Sequence, residues 1–126
     1  MLPSAGHAIE FRLNAEDPRR GFAPSPGRLT RFRPPLGPGV RMDTHAYEGY
    51  VVPPTYDSLI GKLIVHDSDR PAALRRAAQA LQELEVEGVA TTAPLFVEML
   101  SDPPFRDGLY TTSYIDEARA RLSSLG

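Results

Sequence analysis

The first half of the chain shows the alternation of polar and apolar residues that is typical of β-strands. Within residues 8–14, the apolar residues Ile9, Phe11 and Leu13 are separated by polar ones, which predicts a strand with one buried face. Further strands are predicted at residues 28–33, 40–47 and 58–66. Nine of the thirteen prolines precede residue 55, and this distribution argues against long helices in the first half.

After residue 68 the hydrophobic period changes to that of a helix. Asp69 is a suitable N-cap, and Pro71 falls in the first turn, where its missing N–H costs nothing. The apolar residues that follow form one stripe, made of Leu74, Ala77, Ala78, Leu81 and Leu84. The pattern therefore predicts an amphipathic helix with one buried face.

Two further helices and one ambiguous segment complete the second half. A helix is predicted from Thr91 or Thr92 to just before Pro103, and another over residues 113–122. Residues 86–89 are compatible with either a short strand or a connector. The order of these elements predicts an α+β fold, in which a small antiparallel β-sheet of four or five strands is followed by two or three helices.

Length and composition describe one folded globular domain. A chain of 126 residues with 41% hydrophobic and 24% charged residues fits a single domain spanning 1–126, and no linker divides it. The absence of cysteine excludes a disulfide framework and a thiolate metal site. No apolar run approaches about 18 residues and the N-terminus does not resemble a signal peptide, so we expect a cytoplasmic location.

Charge and short motifs exclude several function classes. Fourteen basic and sixteen acidic residues give a net charge of −2, without a run of one sign that would predict binding to nucleic acid or a membrane. Thirteen of the basic residues are arginine, and Lys62 is the single lysine. No glycine-rich phosphate-binding motif is present. His7, His45 and His66 lack metal-ligand spacing, so no metal site is predicted.

One polar ladder on the first predicted strand is a candidate site. Glu10, Arg12 and Asn14 lie on one face of a strand whose other face is apolar. They could form an ordinary solvated face. Alternatively, Glu10 or Asn14 could hold Arg12 so that its planar guanidinium meets a carboxylate or carbonate with two parallel hydrogen bonds. The alternation alone leaves both interpretations open.

Residues 6–18, GHAIEFRLNAEDP, resemble the opening of the C-terminal domain of biotin carboxylase. Biotin carboxylase is the ATP-grasp component of acetyl-CoA, propionyl-CoA, methylcrotonyl-CoA and pyruvate carboxylases. The resemblance continues in the expected order and spacing through residues 24–29, 39–41, 56–64, 80–89 and 114–117. It therefore covers the chain from Gly6 to about Glu117, in several specific blocks.

The resemblance implies a ligase that uses ATP, Mg²⁺ and bicarbonate to carboxylate biotin on a carrier protein or domain. In that family the arginine matching Arg12 projects into the active site and helps to hold bicarbonate and the biotin ureido group, so Arg12 is expected to be catalytic. A fixed guanidinium suits the stabilisation of developing oxyanion charge. Glu10 and Asn14 are then expected to be neighbours that orient Arg12. The implied fold is a small, barrel-sandwich-hybrid-like domain that closes one side of the ATP-grasp site.

The same resemblance implies roles for other positions. Arg41 matches a stretch that lies at the homodimer interface of bacterial members, although Pro38 stands where some members have an aromatic residue. Thr112 matches a position that borders the adenine pocket in some relatives. Asp57 and Lys62 lie in a well-matched block, and we assign them to strand capping and surface contacts.

The family's ATP-binding lysines, magnesium-binding glutamates and base for bicarbonate precede the matched region, and this sequence does not include that ATP-grasp portion. We therefore expect a C-terminal part of biotin carboxylase that is inactive alone. Its expected partners are the ATP-grasp portion, a biotin carboxyl carrier, a carboxyltransferase that selects the final acceptor, and a second copy of the chain. Acetyl-CoA carboxylase, in fatty acid biosynthesis, is one such setting. The alternative is a stand-alone, non-catalytic binding or assembly module with the same fold.

Overall fold

The computed structural model describes residues 6–54 and 58–103. Within these residues the chain forms nine strands, two α-helices and a short 3₁₀ helix at Pro18–Arg20. The strands are β1 (His7–Asn14), β2 (Glu16–Asp17), β3 (Ala23–Pro24), β4 (Gly27–Arg28), β5 (Arg31–Arg33), β6 (Val40–Thr44), β7 (Val51–Val52), β8 (Leu59–Asp67) and β9 (Glu85–Glu87). The helices are α1 (Arg70–Glu83) and α2 (Ala93–Ser101). The helix predicted at residues 113–122 lies outside the described residues.

The largest sheet among the described residues has three antiparallel strands in the order β1–β8–β6. Phe11 of β1 and Met42 of β6 both lie opposite Leu63 of β8. Because residues directly opposite each other in antiparallel strands share a face, these side chains belong to one apolar face of the sheet. Phe11 and Leu63 are buried, which confirms the strand predicted from the alternation in residues 8–14.

Helix α1 covers this apolar face. The Asp69 side chain accepts a hydrogen bond from the backbone N–H of Ala72 at 2.9 Å, which confirms Asp69 as the N-cap. The buried residues of the helix are Ala73, Leu74, Ala77, Ala80 and Leu81. The prediction was wrong for Ala78, which is exposed, because the buried stripe turns through Ala73 and Ala80 instead. Leu84 caps the C-terminus of the helix.

The strand predicted at residues 28–33 is divided into two. β4 pairs with β7, whereas β5 pairs with β9. Between them, the backbone N–H of Leu29 donates to the carbonyl of Tyr50 at 2.8 Å, and that of Thr30 donates to the carbonyl of Glu87 at 2.9 Å. The chain therefore changes its pairing partner at the buried Leu29, so two short strands take the place of the single predicted one. The pairing of β9 also makes the ambiguous segment a strand.

The strand predicted at residues 40–47 ends at Thr44. The Thr44 hydroxyl accepts a hydrogen bond from the N–H of Ala46 at 2.9 Å and donates one to the carbonyl of Ile60 at 2.6 Å. Such local hydroxyl contacts compete with strand pairing, so the chain turns away after this residue. The strand predicted at residues 58–66 agrees with β8 to within one residue at each end.

The remaining core joins the small strand pairs to the main sheet and the helices to each other. One apolar cluster contains Leu13, Leu29, Phe32, Val52 and Ile60. Another packs Phe22 and Leu74 against Leu95 and Met99 of α2. Neither helix of the described residues has the length and apolar character needed to cross a membrane. The α+β class predicted from the sequence is confirmed.

Candidate functional site

The face of the main sheet opposite α1 carries charged residues. Strand alternation places Glu10 and Arg12 on the side of β1 away from Phe11, and the strand register continues that side onto β8 and β6. We call this surface the charged face, and its members are Glu10, Arg12, Arg41, Asp43, Lys62 and Ile64. Glu10, Arg12, Arg41 and Asp43 are exposed, whereas Lys62 and Ile64 are half-buried.

Two cations stand side by side on the charged face. Arg12 lies directly opposite Lys62, which in turn lies directly opposite Asp43. Side chains in such positions have Cβ atoms about 4.5–5.5 Å apart, and like charges there repel each other. Both carboxylate oxygens of Asp43 accept hydrogen bonds from Arg41 at 3.0 Å, so the acid of this row is already engaged. The row consequently favours an anion beside Arg12 and Lys62.

Among the described residues, no direct contact supports the predicted orientation of the Arg12 side chain by Glu10. Within residues 6–54 and 58–103, no hydrogen bond or ion pair engages the side chain of Arg12. Glu10 lies opposite Ile64, in the row next to that of Arg12 and Lys62. The role of Glu10 as an orienting neighbour therefore stays a prediction.

Asn14, the second predicted neighbour, lies beyond an irregularity in the strand pairing. Leu13 pairs with Gly61, but Asn14 pairs with Leu59, so β8 contributes one extra residue, Ile60, at this point. Asn14 stays on β1, but its cross-strand register differs by one residue from that of Arg12. Its orienting role also stays a prediction.

The backbone around Arg12 is held by Thr92, which lies just before α2. The Thr92 hydroxyl accepts a hydrogen bond from the N–H of Asn14 at 3.0 Å and donates one to the carbonyl of Arg12 at 3.2 Å. The N–H of Thr92 donates to the carbonyl of Asn14 at 3.0 Å. Thr92 is 3% exposed, so these bonds are shielded from water.

Sequence reasoning assigned no site role to Lys62 or Thr92. Lys62 alternates correctly to share a face with Arg12, but only the register between β1 and β8 shows that the two are opposite. Thr92 is 80 residues from Arg12, and in the sequence it had the signal of a helix start. The unusual single lysine was the one available hint for Lys62.

The other predicted positions are distributed as follows. Arg41 lies on β6, at the far edge of the sheet from Arg12, with its guanidinium on Asp43. Thr112 and Asp57 lie outside the described residues. Within the described ranges, no group of three or more histidine, aspartate or glutamate side chains is arranged to hold a metal ion.

One carboxyl group near this sheet has a clearly shifted pKa. Asp67, at the end of β8, accepts a hydrogen bond from the backbone N–H of Ser68 and another from Arg76 of α1 at 2.9 Å, and these contacts lower its pKa below the usual aspartate value. Arg76 also donates to the carbonyl of Pro38, in the loop before β6. This group therefore ties α1 to the sheet and to that loop.

Comparison with known sequences identifies the class of domain. The sequence model described as "Biotin carboxylase C-terminal domain" matches residues 10–117. The biotin carboxylase of Nostoc sp. is 49% identical over 112 residues, which are 89% of this chain and 25% of that protein. The chloroplastic biotin carboxylase of Arabidopsis thaliana is 49% identical over 118 residues, which are 94% of this chain and 22% of that protein.

Solved structures agree with the sequence comparison. The biotin carboxylase domain of a thermophilic 2-oxoglutarate carboxylase bound to bicarbonate has a TM-score of 0.87 and 44% identity, over 93% of this chain and 26% of that one. The biotin carboxylase of Campylobacter jejuni has a TM-score of 0.85 and 43% identity, over 90% of this chain and 25% of that one.

Fold and sequence together define a small antiparallel-sheet domain of the kind found in these relatives. The chain belongs to the biotin carboxylase C-terminal domain family, which confirms the resemblance read from its motifs. It spans about a quarter of the length of these relatives.

Proposed function

We propose that this chain supplies one wall of a site where ATP and bicarbonate are used to carboxylate biotin, as the C-terminal part of a biotin carboxylase. The observation that supports the proposal is the juxtaposition of Arg12 and Lys62 on the charged face. Within the described residues, neither side chain is engaged by a carboxylate. Asp43, the carboxylate opposite Lys62, is hydrogen-bonded to Arg41, so two adjacent cations are left to suit a substrate that brings its own negative charge.

The proposed reaction has two stages, and negative charge develops on an oxygen atom in each. Bicarbonate attacks the γ-phosphate of ATP, and ADP leaves as carboxyphosphate forms. Carboxyphosphate then splits into CO₂ and phosphate, the phosphate takes the N1′ proton of biotin, and CO₂ bonds to that nitrogen. While the proton is lost, negative charge moves onto the ureido oxygen of biotin. A cation fixed beside that oxygen lowers the energy of the charged state more than that of the neutral one.

Arg12 is the residue to which we assign this role. Its planar fork matches bicarbonate with two parallel hydrogen bonds, and its positive charge complements a developing oxyanion. Lys62, in the same row, adds a second, more compact positive charge that attracts the anion without fixing its plane. Glu10 and Asn14 are proposed to limit the directions in which Arg12 can point.

The rest of the machinery is proposed to come from partners. An ATP-grasp portion binds ATP and Mg²⁺, and the described residues offer no acidic cluster for the metal. A carrier protein or domain brings biotin, and a carboxyltransferase removes the carboxyl group from it. We further propose that Thr112 contacts the adenine side of the nucleotide and that the surface around Arg41 joins two copies of the chain. In this proposal the chain is inactive alone.

The final acceptor and the location are part of the same proposal. Acetyl-CoA, as used in fatty acid biosynthesis, is one acceptor, while curated relatives include a pyruvate carboxylase component of Methanothermobacter thermautotrophicus and the small subunit of a 2-oxoglutarate carboxylase of Hydrogenobacter thermophilus. The carboxyltransferase makes the choice among them. We propose the cytoplasm as the site of action, although the Arabidopsis relative is chloroplastic.

The test is an assay of bicarbonate-dependent ATP cleavage and biotin carboxylation, with the ATP-grasp portion of a biotin carboxylase added to the chain in trans. Activity is expected from the mixture and not from the chain alone. Arg12→Ala is expected to lower carboxylation by about 10²–10³-fold, the usual effect of removing one oxyanion-stabilising group. Arg12→Lys keeps the positive charge but loses the planar guanidinium, so its carboxylation rate should lie between those of the wild type and Arg12→Ala.

Arg33 provides the matched control. It is also an exposed strand arginine, but it lies on β5, outside the main sheet, and so Arg33→Ala should leave carboxylation unchanged. Unchanged turnover in Arg12→Ala would refute the assigned role. Lack of any activity in the reconstituted wild type would favour the alternative, a non-catalytic binding or assembly module.

A further inference from the structure

The Thr92 hydroxyl has a use that its place at the start of α2 does not explain. Thr92 occupies the N-cap position, where a threonine hydroxyl ordinarily accepts a hydrogen bond from the first turn of its own helix. Here it makes no such bond, and Thr91 instead accepts from the N–H of Ala93 at 3.2 Å. The Thr92 hydroxyl is directed to Arg12 and Asn14 of β1.

The point of contact is where β1 is least constrained by its own sheet. Among the described residues, β1 is an edge strand that pairs in that sheet with β8 alone, and its pairing shifts between Leu13 and Asn14. Backbone groups at the edge of a sheet have no strand partner on the outer side, and an irregularity loosens the ladder further. Thr92 bonds one backbone group of Arg12 and two of Asn14, so it clamps both sides of the shift.

We propose that Thr92 is the positioning residue of Arg12. The inference rests on the proposed function, because it assigns to Thr92 the task of holding the strand from which Arg12 meets its anion. Displacement of a reacting group by about 1 Å can lower a rate by about 100-fold. A buried hydrogen-bonded clamp on the backbone of Arg12 restricts such displacement without any contact between Thr92 and the substrate.

Two substitutions of Thr92 separate its hydroxyl from its bulk. Thr92→Val keeps the shape and removes both hydroxyl bonds, and in the reconstituted assay it should lower kcat for carboxylation by about tenfold, a part of the loss that full misplacement causes. Thr92→Ser keeps the hydroxyl and should stay within about twofold of wild type. Thermal unfolding of each variant shows whether it is folded.

Thr44 provides the matched control for the loss of hydroxyl bonds. Its hydroxyl also bridges two backbone groups, those of Ala46 and Ile60, at the β8 side of the same irregularity. Thr44→Val therefore loses the same number of bonds without releasing the strand of Arg12, and its kcat should stay within about twofold of wild type. An equal loss of kcat in Thr44→Val and Thr92→Val would overturn the proposal.

A double-mutant cycle tests whether Thr92 acts through Arg12. In the Arg12→Ala background, Thr92→Val should cause no further loss, because the group it positions is gone. Multiplication of the two separate losses would overturn the positioning role. If Arg12→Ala itself has no effect, the proposed function fails; if Arg12→Ala lowers activity while Thr92→Val does not, the positioning role alone fails.

Discussion

The two faces of the β1–β8–β6 sheet are formed by the same strands, but the arrangement of their side chains has a different physical basis on each face. Leu63 and Lys62 are neighbours in sequence and point to opposite sides of the sheet. Leu63 is 2% exposed and packs beneath α1 with Phe11 and Val65. Lys62 lies beside Arg12, on a face where two cations are adjacent. Packing accounts for the first face, whereas the second places like charges at Arg12 and Lys62 beside each other, an arrangement that packing does not explain.

The largest expected effect belongs to the apolar face. Leu63→Ala should lower the free energy of unfolding by about 2–5 kcal/mol, because a buried leucine is replaced by a cavity. Lys62→Ala, the adjacent change on the charged face, should alter it by no more than about 0.5 kcal/mol. Urea unfolding of both variants makes the comparison. Equal destabilisation would contradict the separation of the two faces.

Gly61 allows a second, smaller test of how closely β6 and β8 approach. A Cβ at this position would lie 2.8 Å from Cβ of Thr44 and 2.9 Å from the carbonyl oxygen of Asp43. Gly61→Ala should therefore destabilise the protein by about 1–3 kcal/mol through overpacking. Gly49→Ala is a useful contrast, since a Cβ there meets nothing within 4 Å and only its positive φ of 97° opposes the change. Calorimetric unfolding of Gly61→Ala without loss of stability would contradict the close approach.

A third prediction concerns the pH dependence of stability at the end of the central strand β8. The pKa of Asp67 is lowered by the N–H of Ser68 and by Arg76, so its charged form stabilises the fold. This contribution is complete above the ordinary aspartate pKa of about 3.9 and is lost as the pH falls through the lower folded value. Asp67→Asn should remove this part of the acid sensitivity, a smaller effect than the two above.

Urea midpoints measured from pH 7 down to pH 3 would test the role of Asp67. Arg75→Gln, which changes the exposed neighbour of Arg76 on α1, should keep the wild-type pH dependence. An Asp67→Asn variant with the same acid sensitivity as wild type would show that this carboxylate is not responsible.

The smallest effect on stability is expected on the charged face itself. Arg41 and Asp43 form a two-bond ion pair, but their side chains are 69% and 51% exposed. Arg41→Ala should cost only about 0.2–1 kcal/mol, as exposed pairs usually do. If the surface around Arg41 joins two copies of the chain, Arg41→Ala should weaken their association, measured by sedimentation equilibrium, more than it lowers the free energy of unfolding. A loss of several kcal/mol in the free energy of unfolding of the monomer would contradict the assignment of Arg41 to the solvated surface.

Local patterns predicted the elements whose stability is local. The alternation around Phe11, the cap at Asp69 and the apolar run in β8 all produced the expected strand or helix. The split at Leu29 was not predictable, because it depends on hydrogen bonds to Tyr50 and Glu87, far along the chain. Such partners are chosen by the packed core, which sequence spacing does not encode.

The candidate site divides in the same way. Arg12 was selected from its motif, and alternation alone placed it on the polar side of its strand. Its juxtaposition with Lys62 required the register of two strands separated by about 50 residues, and its clamp by Thr92 required a contact across 80 residues. Those relations arise only when the sheet and α2 have assembled.

The extra residue in β8 has a consequence for insertions and deletions. Because side chains alternate along a strand, removal of Ile60 would turn the residues beyond it to the other side of the sheet, or force β8 to slip against β1. The carbonyl of Ile60 is also bonded to the Thr44 hydroxyl, which anchors the extra residue in place. This end of the sheet should therefore tolerate exchange of its exposed side chains far better than any change in the number of residues.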